Sequence, residues 1–451
     1  MRFLSIKLSG RDEAMRAYFA AHPTELHGTN LGGDLRTVRI FIAEAMLEVI
    51  RSYGLNAEVL YDASEVGRSR LKEVASNNRF EIGSGSNTTV ALAITAADKY
   101  LNVLEVEAAT KRLADSYPQF CQLIDLPEPT SEGRRCNALC INVAPPQAPT
   151  ILILGGIHGR EWGSCEIALE FVDRLLAACQ TSSDLIFGGA TFAYADLAHL
   201  LQTRRIVVFP LVNPDGRAFS QSPLGDPLWR KNRNPQWSDG NTLSAGVDIN
   251  RNFDFLFDTA KSFAPGAGVL VSANFWDHDL YQGPYPFSEV ESRNVKRLLD
   301  EFGSTAWLVD LHSCSRTVMC PWGDDEVQET DSTKCFFNPQ YDQQRGKPGD
   351  AYSEYMPSQD VAETRRLVAV LRSSMHGVSG VQYAASSGFG AFATPGTSHD
   401  YAYSRHFLDA SHSKVLGFVV EWGDEFHPPW ATMKVIVNEV AAGLTAFCIA
   451  C

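Results

Sequence analysis

The pentapeptide HGREW places His158 and Glu161 three residues apart, directly after the apolar run Ile151 to Ile157. An imidazole nitrogen and a carboxylate oxygen at that spacing can reach one Zn²⁺, provided a third protein ligand comes from elsewhere and the fourth position stays open to water. The end of a buried strand is also where α/β folds bind ligands. Spacing alone decides little, because HPTE gives His22 and Glu25 the same separation. No strand precedes that pair and no further chemistry surrounds it, so it reads as solvated polar surface. HGREW differs in having an ordered series of motifs downstream: NPDG (Asn213 to Gly216), WRKNR (Trp229 to Arg233), GVDINRNFD (Gly246 to Asp254), DLHS (Asp310 to Ser313) and FVVEWG (Phe418 to Gly423). Each sits at an expected strand end or in a neighbouring loop. Glu421 closes the apolar run VLGFVVE, and a carboxylate there must be paired, hydrated at a cavity or protonated.

This ordered series resembles the zinc metallocarboxypeptidases of the carboxypeptidase A/B type over about residues 100–451. The resemblance implies one Zn²⁺ per chain, held by His158, Glu161 and His312. Asp248 takes the place of the acid that receives the other ring proton of the first histidine. Glu421 becomes the general base, and Arg230 the donor to the oxyanion that forms as water adds to a peptide carbonyl. Asn250 and Arg251 match the clamp for the substrate's terminal carboxylate, and Arg160 a further substrate contact. The implied activity is hydrolysis of the last peptide bond of a peptide or protein. Two alternatives remain: the same metal site acting on cell-wall or γ-linked acidic peptides, and a catalytically weakened peptide-binding homologue. Read singly, His312 could be a satisfied core histidine, Asp248 a turn cap and Glu421 half of a salt bridge.

Several positions depart from the family pattern. Phe392 falls where the family carries a mobile tyrosine, with Tyr383, Tyr401 and Tyr403 as substitutes if the loop runs differently. His399 stands where the family selects the terminal side chain; it accepts an acidic or polar group, or simply lines a mixed pocket with Met319 and Gly323, or faces solvent from a loop. Cys314 reads as a packing residue or as an oxidation-sensitive thiol beside the metal, and for Lys231 and Arg233 exposed charge is at least as good a reading as a role in the site.

These residues need a scaffold that brings strand ends together. Strands are expected at 138–143, 150–157, 205–211, 306–311 and 414–421, alternating with helices at 103–116, 165–178, 290–301, 362–374 and 432–447. That alternation predicts an α/β fold with a central mixed, mainly parallel sheet flanked by helices. A strand at 37–43, a helix at 44–52 and a strand at 57–61 predict a small N-terminal α/β domain, prosegment-like or docking. The flexible composition after Asn77 puts the boundary between Asn77 and Lys99, giving domains 1–98 and 99–451. Residues 324–360, rich in Asp, Gln, Pro and Gly, read as a long surface excursion.

Composition narrows the partners. Lys+Arg 39 against Asp+Glu 53 leaves a net charge of −14 over 451 residues, which argues against nucleic acid. Apolar runs fall short of the roughly 18 residues of a bilayer span. Met1 to Arg11 carries no recognisable secretion signal, so a cytoplasmic location is expected. The scattered cysteines support neither a disulfide scaffold nor a cysteine zinc site.

Overall fold

The computed structural model describes residues 2–32, 35–80, 92, 94–96, 98–238, 240, 244–273, 279–390 and 392–451. Most of the expected boundary segment, 81–91 with 93 and 97, lies outside the described residues. Before it, an antiparallel sheet runs in the order Leu26–Gly32, Leu35–Ala43, Phe3–Arg11, Asn56–Asp62, covered by helices Asp12–Ala21 and Met46–Ser52. The first strand, the first helix and the edge strand all precede Thr37, where no element is expected from the sequence pattern. There Leu4, Ile6 and Leu8 turn inward with a two-residue period, and Met15, Tyr18 and Phe19 of the first helix close over them.

The large unit is built on eight strands in the order Ala384–Ser387, Thr317–Cys320, Leu416–Trp422, Thr305–Ser313, Thr150–Gly155, Arg205–Phe209, Asn137–Ile141, Cys121–Asp125. The strands from Leu416–Trp422 to Arg205–Phe209 are mutually parallel. Antiparallel pairings flank this centre at Thr317–Cys320 and at Asn137–Ile141. TILILG of Thr150–Gly155 is buried along its whole length, as a strand covered on both faces must be. Helices Val103–Ser116, Gly163–Thr181, Val290–Glu301, Ser358–Ser379, Ser398–Leu408 and Trp430–Ala450 surround the sheet. Val103–Ser116 starts on a reciprocal cap, in which Asn102 accepts from the Glu105 N–H and Glu105 from that of Asn102. The architecture is the expected mixed α/β sheet between helices.

Three expectations need correction. Trp430–Ala450 is, by length and a mean hydropathy of 1.5, apolar enough to cross a bilayer, but 67% of its apolar window is buried inside the protein. Residues 324–360 are not a simple surface excursion, since Asp324, Arg345, Tyr352 and Glu354 are all buried. Lys231 and Arg233 are buried too. Lys231 Nζ donates to the Ser244 carbonyl at 3.0 Å, and the Arg233 guanidinium lies 3.8 Å from the centre of the Phe219 ring.

Candidate metal centre

Parallel neighbours in register send matching side chains to the same face. His312, near the end of Thr305–Ser313, pairs with Glu421 on Leu416–Trp422. His158 comes just after the adjacent strand Thr150–Gly155, and NPDG fastens that strand end to the loop beyond. Asn213 Nδ2 donates to the carbonyls of Ile157 (3.0 Å) and Lys231 (3.1 Å). A Cβ on Gly159 would lie 2.5 Å from the Gly216 carbonyl and 2.9 Å from that of Trp229. Three of the sequence motifs thus pack backbone against backbone, which glycine at 159 permits.

His158, Glu161 and His312 converge as a buried group whose ligand atoms lie within 4.8 Å of one another. His158 Nδ1 is 2.8 Å from Glu161 Oε1, His312 Nδ1 is 3.1 Å from Glu161 Oε2, and the two Nδ1 atoms are 3.0 Å apart. On the outer side, His158 Nε2 is 3.1 Å from Asp248 Oδ1 and His312 Nε2 is 3.0 Å from Asp310 Oδ2. With each Nε2 proton facing a carboxylate, the Nδ1 lone pairs and the Glu161 oxygens face one point. Burial opposes charge on His312, yet Asp310 and Glu161 push its pKa well above the usual value. Burial likewise opposes ionisation of Glu161, and the two histidines override it, bringing the carboxyl down to about 2. The pocket therefore calls for positive charge among nitrogen and oxygen lone pairs, and this donor set fits Zn²⁺.

Around the triad, Arg230 donates from Nε to Asp248 Oδ2 at 2.9 Å, and its Nη1 is 3.3 Å from His158 Nδ1. Asp248 therefore orients a ligand histidine and an arginine together. Glu421 Oε2 is buried without a partner among the described residues. Burial, reinforced by Glu161 and Glu25 and opposed by His312, pushes its carboxyl up to about 8. Asn250 accepts the Ser398 N–H on Oδ1 at 2.9 Å and holds Nδ2 3.3 Å from His312 Nε2. Arg251 is buried beside it, donating to the carbonyls of Leu270 (2.8 Å) and Asn250 (2.6 Å).

Residues 106–442 match the zinc carboxypeptidase family model. The chain belongs to the zinc carboxypeptidase family. Carboxypeptidase B of Astacus astacus is 32% identical over 221 residues, 49% of this chain and 63% of that protein. Carboxypeptidase A2 of Rattus norvegicus is 26% identical over 294 residues, 64% of this chain and 61% of that protein. The chain thus spans less than two thirds of the length of these relatives. In fold it is similar to the crystal structure of a carboxypeptidase A from Helicoverpa armigera, with TM-score 0.70 and 18% identity over 99% of this chain and 97% of that one. Zinc is the metal of the family, and His158, Glu161 and His312 are the group able to hold it among the described residues.

Other positions of this member of the zinc carboxypeptidase family have surroundings the sequence did not suggest. His399 does not face solvent. It is 3% exposed, with both ring nitrogens lacking hydrogen-bond partners among the described residues, and burial pushes its pKa down to about 3. A Cβ on Gly388 would lie 3.1 Å from His399 Nε2 and 3.1 Å from Gly323 Cα, so His399 does neighbour Gly323. Phe392 packs edge-on against Phe19 of the N-terminal unit, ring centres 4.8 Å apart, in one apolar cluster with Leu270 and Leu280. Two of the substitute tyrosines have committed hydroxyls, Tyr383 donating to Glu439 and Tyr403 to Asp360. Burial raises the Cys314 thiol, which packs with Ala63, Leu228 and Phe426 as a packing residue would.

Glu25, read from the sequence as solvated surface, is in the site. Its Oε2 accepts from Arg160 Nη2 at 2.5 Å and its Oε1 from Arg230 Nη1, with His27 Nε2 3.4 Å away. The arginines and His27 hold its carboxyl well below the usual range although burial pushes the other way. Nothing local in HPTE announces this, because its partners lie far along the chain. Asp310, the first residue of DLHS, had no role assigned to it from the sequence; its place two residues before His312 on a strand puts both side chains on one face.

Proposed function

We propose that this chain is a zinc-dependent carboxypeptidase that removes residues from the carboxyl end of peptides, held closed by its N-terminal domain. The convergence of His158, Glu161 and His312 with Glu421 and Arg230 carries the reading. When bound, Zn²⁺ supplies a Lewis acid that acidifies water and polarises a carbonyl. Glu421 takes the proton of the attacking water on its carboxylate and passes it to the nitrogen of the departing amino acid. Arg230 donates to the carbonyl oxygen as that oxygen gains negative charge, and Asp248 keeps the guanidinium aimed. Asn250 and Arg251 receive the terminal carboxylate, which makes the enzyme an exopeptidase. Glu25, while docked, engages Arg230 and Arg160 and so competes with substrate.

The test is release of free amino acids from peptides with varied last residues, measured before and after a single cut in the 77–99 segment, with and without a chelator. Chelator-sensitive release that rises on cutting is expected. Release only from within peptides, or release indifferent to the chelator, overturns the reading.

A further inference from the structure

Three strand ends carry the metal triad and Glu421, and one buried hydroxyl joins them. Ser164, the second residue of the helix Gly163–Thr181, donates its N–H to the Glu161 carbonyl at 3.3 Å. Its Oγ donates to the carbonyl of Leu311, the residue before His312, at 2.8 Å. The same Oγ accepts at 3.0 Å from the indole Nε1 of Trp422, the residue after Glu421. Ser164, Leu311 and Trp422 are completely buried. A hydroxyl has one proton to give and lone pairs to receive, and here both directions are used at once. Away from water, a carbonyl or an indole N–H without a partner costs free energy, so the shared oxygen holds the three segments at one spacing.

This strap matters most to Glu421. Its Oε2 has no hydrogen-bond partner among the described residues, so the carboxylate follows the backbone at the end of Leu416–Trp422, where Glu421 pairs with His312 and Trp422 with Ser313. Successive strand residues point to opposite faces, so the indole anchors the strand from the face opposite Glu421. The helix start closes tightly over that anchor: a Cβ on Gly163 would lie 3.0 Å from Trp422 Cη2 and 2.6 Å from Met433 Sδ. We propose that Ser164 and Trp422 are positioning residues, the Ser164 hydroxyl fixing His312 relative to Glu161 and the Trp422 indole fixing Glu421 relative to both. The half that concerns Glu421 rests on the peptidase reading; the half that concerns His312 and Glu161 rests on the donor geometry alone.

Two substitutions separate the arms of the strap. Ser164→Ala removes both bonds, whereas Trp422→Phe removes the indole N–H and leaves the bond from Ser164 to Leu311. Thr445→Val is the control for a merely structural hydroxyl, since the buried Thr445 Oγ1 donates to the Ala441 carbonyl at 2.8 Å inside the helix Trp430–Ala450. Zinc affinity is measured in the full chain by competition with a chromophoric chelator, and kcat and KM by amino-acid release from the zinc-loaded chain cut in the 77–99 segment. Ser164→Ala should weaken zinc binding about tenfold, in the range of outer partners of metal ligands. It should also lower kcat about tenfold or more, with KM held, because a catalytic group displaced by a fraction of an ångström loses rate rather than substrate affinity. Trp422→Phe should show the loss in kcat with zinc affinity kept, and Thr445→Val should move neither, whatever its Tm. If Ser164→Ala does not fold, Ser164→Cys, which bonds only weakly, takes its place. Unchanged zinc affinity in Ser164→Ala, unchanged kcat in Trp422→Phe, or zinc binding weakened equally by both substitutions overturns the inference. A parent chain that releases no amino acid overturns the peptidase reading instead, and the zinc comparison then decides alone.

Discussion

The metal centre depends on acids that never touch the metal position. Asp310 Oδ2 faces His312 Nε2 at 3.0 Å and also accepts from Ser398 Oγ at 2.5 Å, so one carboxylate fixes the ring and the start of the helix behind it. Asp248 does the same for His158 and Arg230. A neutral amide at 310 can still accept from Ser398, but it no longer balances positive charge on the imidazole. Outer-shell partners of this kind are worth about 10- to 100-fold in metal affinity. Asp310→Asn is therefore expected to bind Zn²⁺ more weakly by about that factor in competition with a chromophoric chelator. Unchanged affinity would show that His312 is oriented by the strand alone.

Among the elements, residues 324–356 carry the most perturbed acids away from the metal. Tyr352 donates to Glu354 Oε2 at 2.5 Å, and Arg345 is buried among the carbonyls of Cys335, Phe336 and Asn338. Burial, then the neighbouring Asp324, pushes Asp325 up to about 8 from 3.8. Asp324 is raised as well, by burial first, with Asp400 adding to it and a side-chain hydrogen bond with Glu354 working against it. A carboxyl whose folded pKa exceeds its unfolded value holds a proton that the unfolded chain releases, so its contribution is full below about pH 4 and is lost as pH rises toward 8. The urea midpoint of the parent should fall between pH 5 and 8, and Asp324→Asn should flatten that slope. An equal slope in both proteins would mean that these acids ionise freely.

What the sequence revealed and what it hid also divides by element. The central strands and five long helices of the large unit were legible because each is a long apolar or amphipathic run, and the ligand histidines because each closes such a run, whereas the short strands Cys121–Asp125, Thr317–Cys320 and Ala384–Ser387 and the helices Tyr194–Thr203 and Ser398–Leu408 were not expected. Lys231 and Arg233 were not legible, since burial of a cation depends on the Ser244 carbonyl and on the Phe219 and Trp229 rings meeting it in space. Glu25 and Phe392 were hidden for the same reason at larger range: each acquires its surroundings only when two units dock.

The molecule as a whole is a pair of units sharing apolar cores. Leu270, Leu280 and Phe392 of the large unit complete the cluster formed by Ile6, Leu8, Phe19 and Ile40, while Phe41 and Tyr61 of the small unit pack on Cys314 and Phe426. Arg39 adds a hydrogen bond to the Asp424 carbonyl at 2.6 Å. Such a seam does not fall apart merely because the connecting chain is cut, so the cut chain should at first keep both pieces together on gel filtration. Phe392 is the place to loosen it. Its ring is 1% exposed, edge-on to Phe19, with the guanidinium of Arg16 5.6 Å from its centre. Truncating a buried phenylalanine costs about 3–5 kcal/mol. Lost from the interface, that is about a hundredfold or more in the dissociation constant of the two pieces. Phe392→Ala, cut in the 77–99 segment, should therefore elute as separate pieces at concentrations where the cut parent stays whole, and the amino-acid release proposed above should appear without delay. If the cut variant holds together as tightly as the parent, the Glu25 contact and the Phe41–Phe426 packing, not the Phe392 ring, hold the site shut.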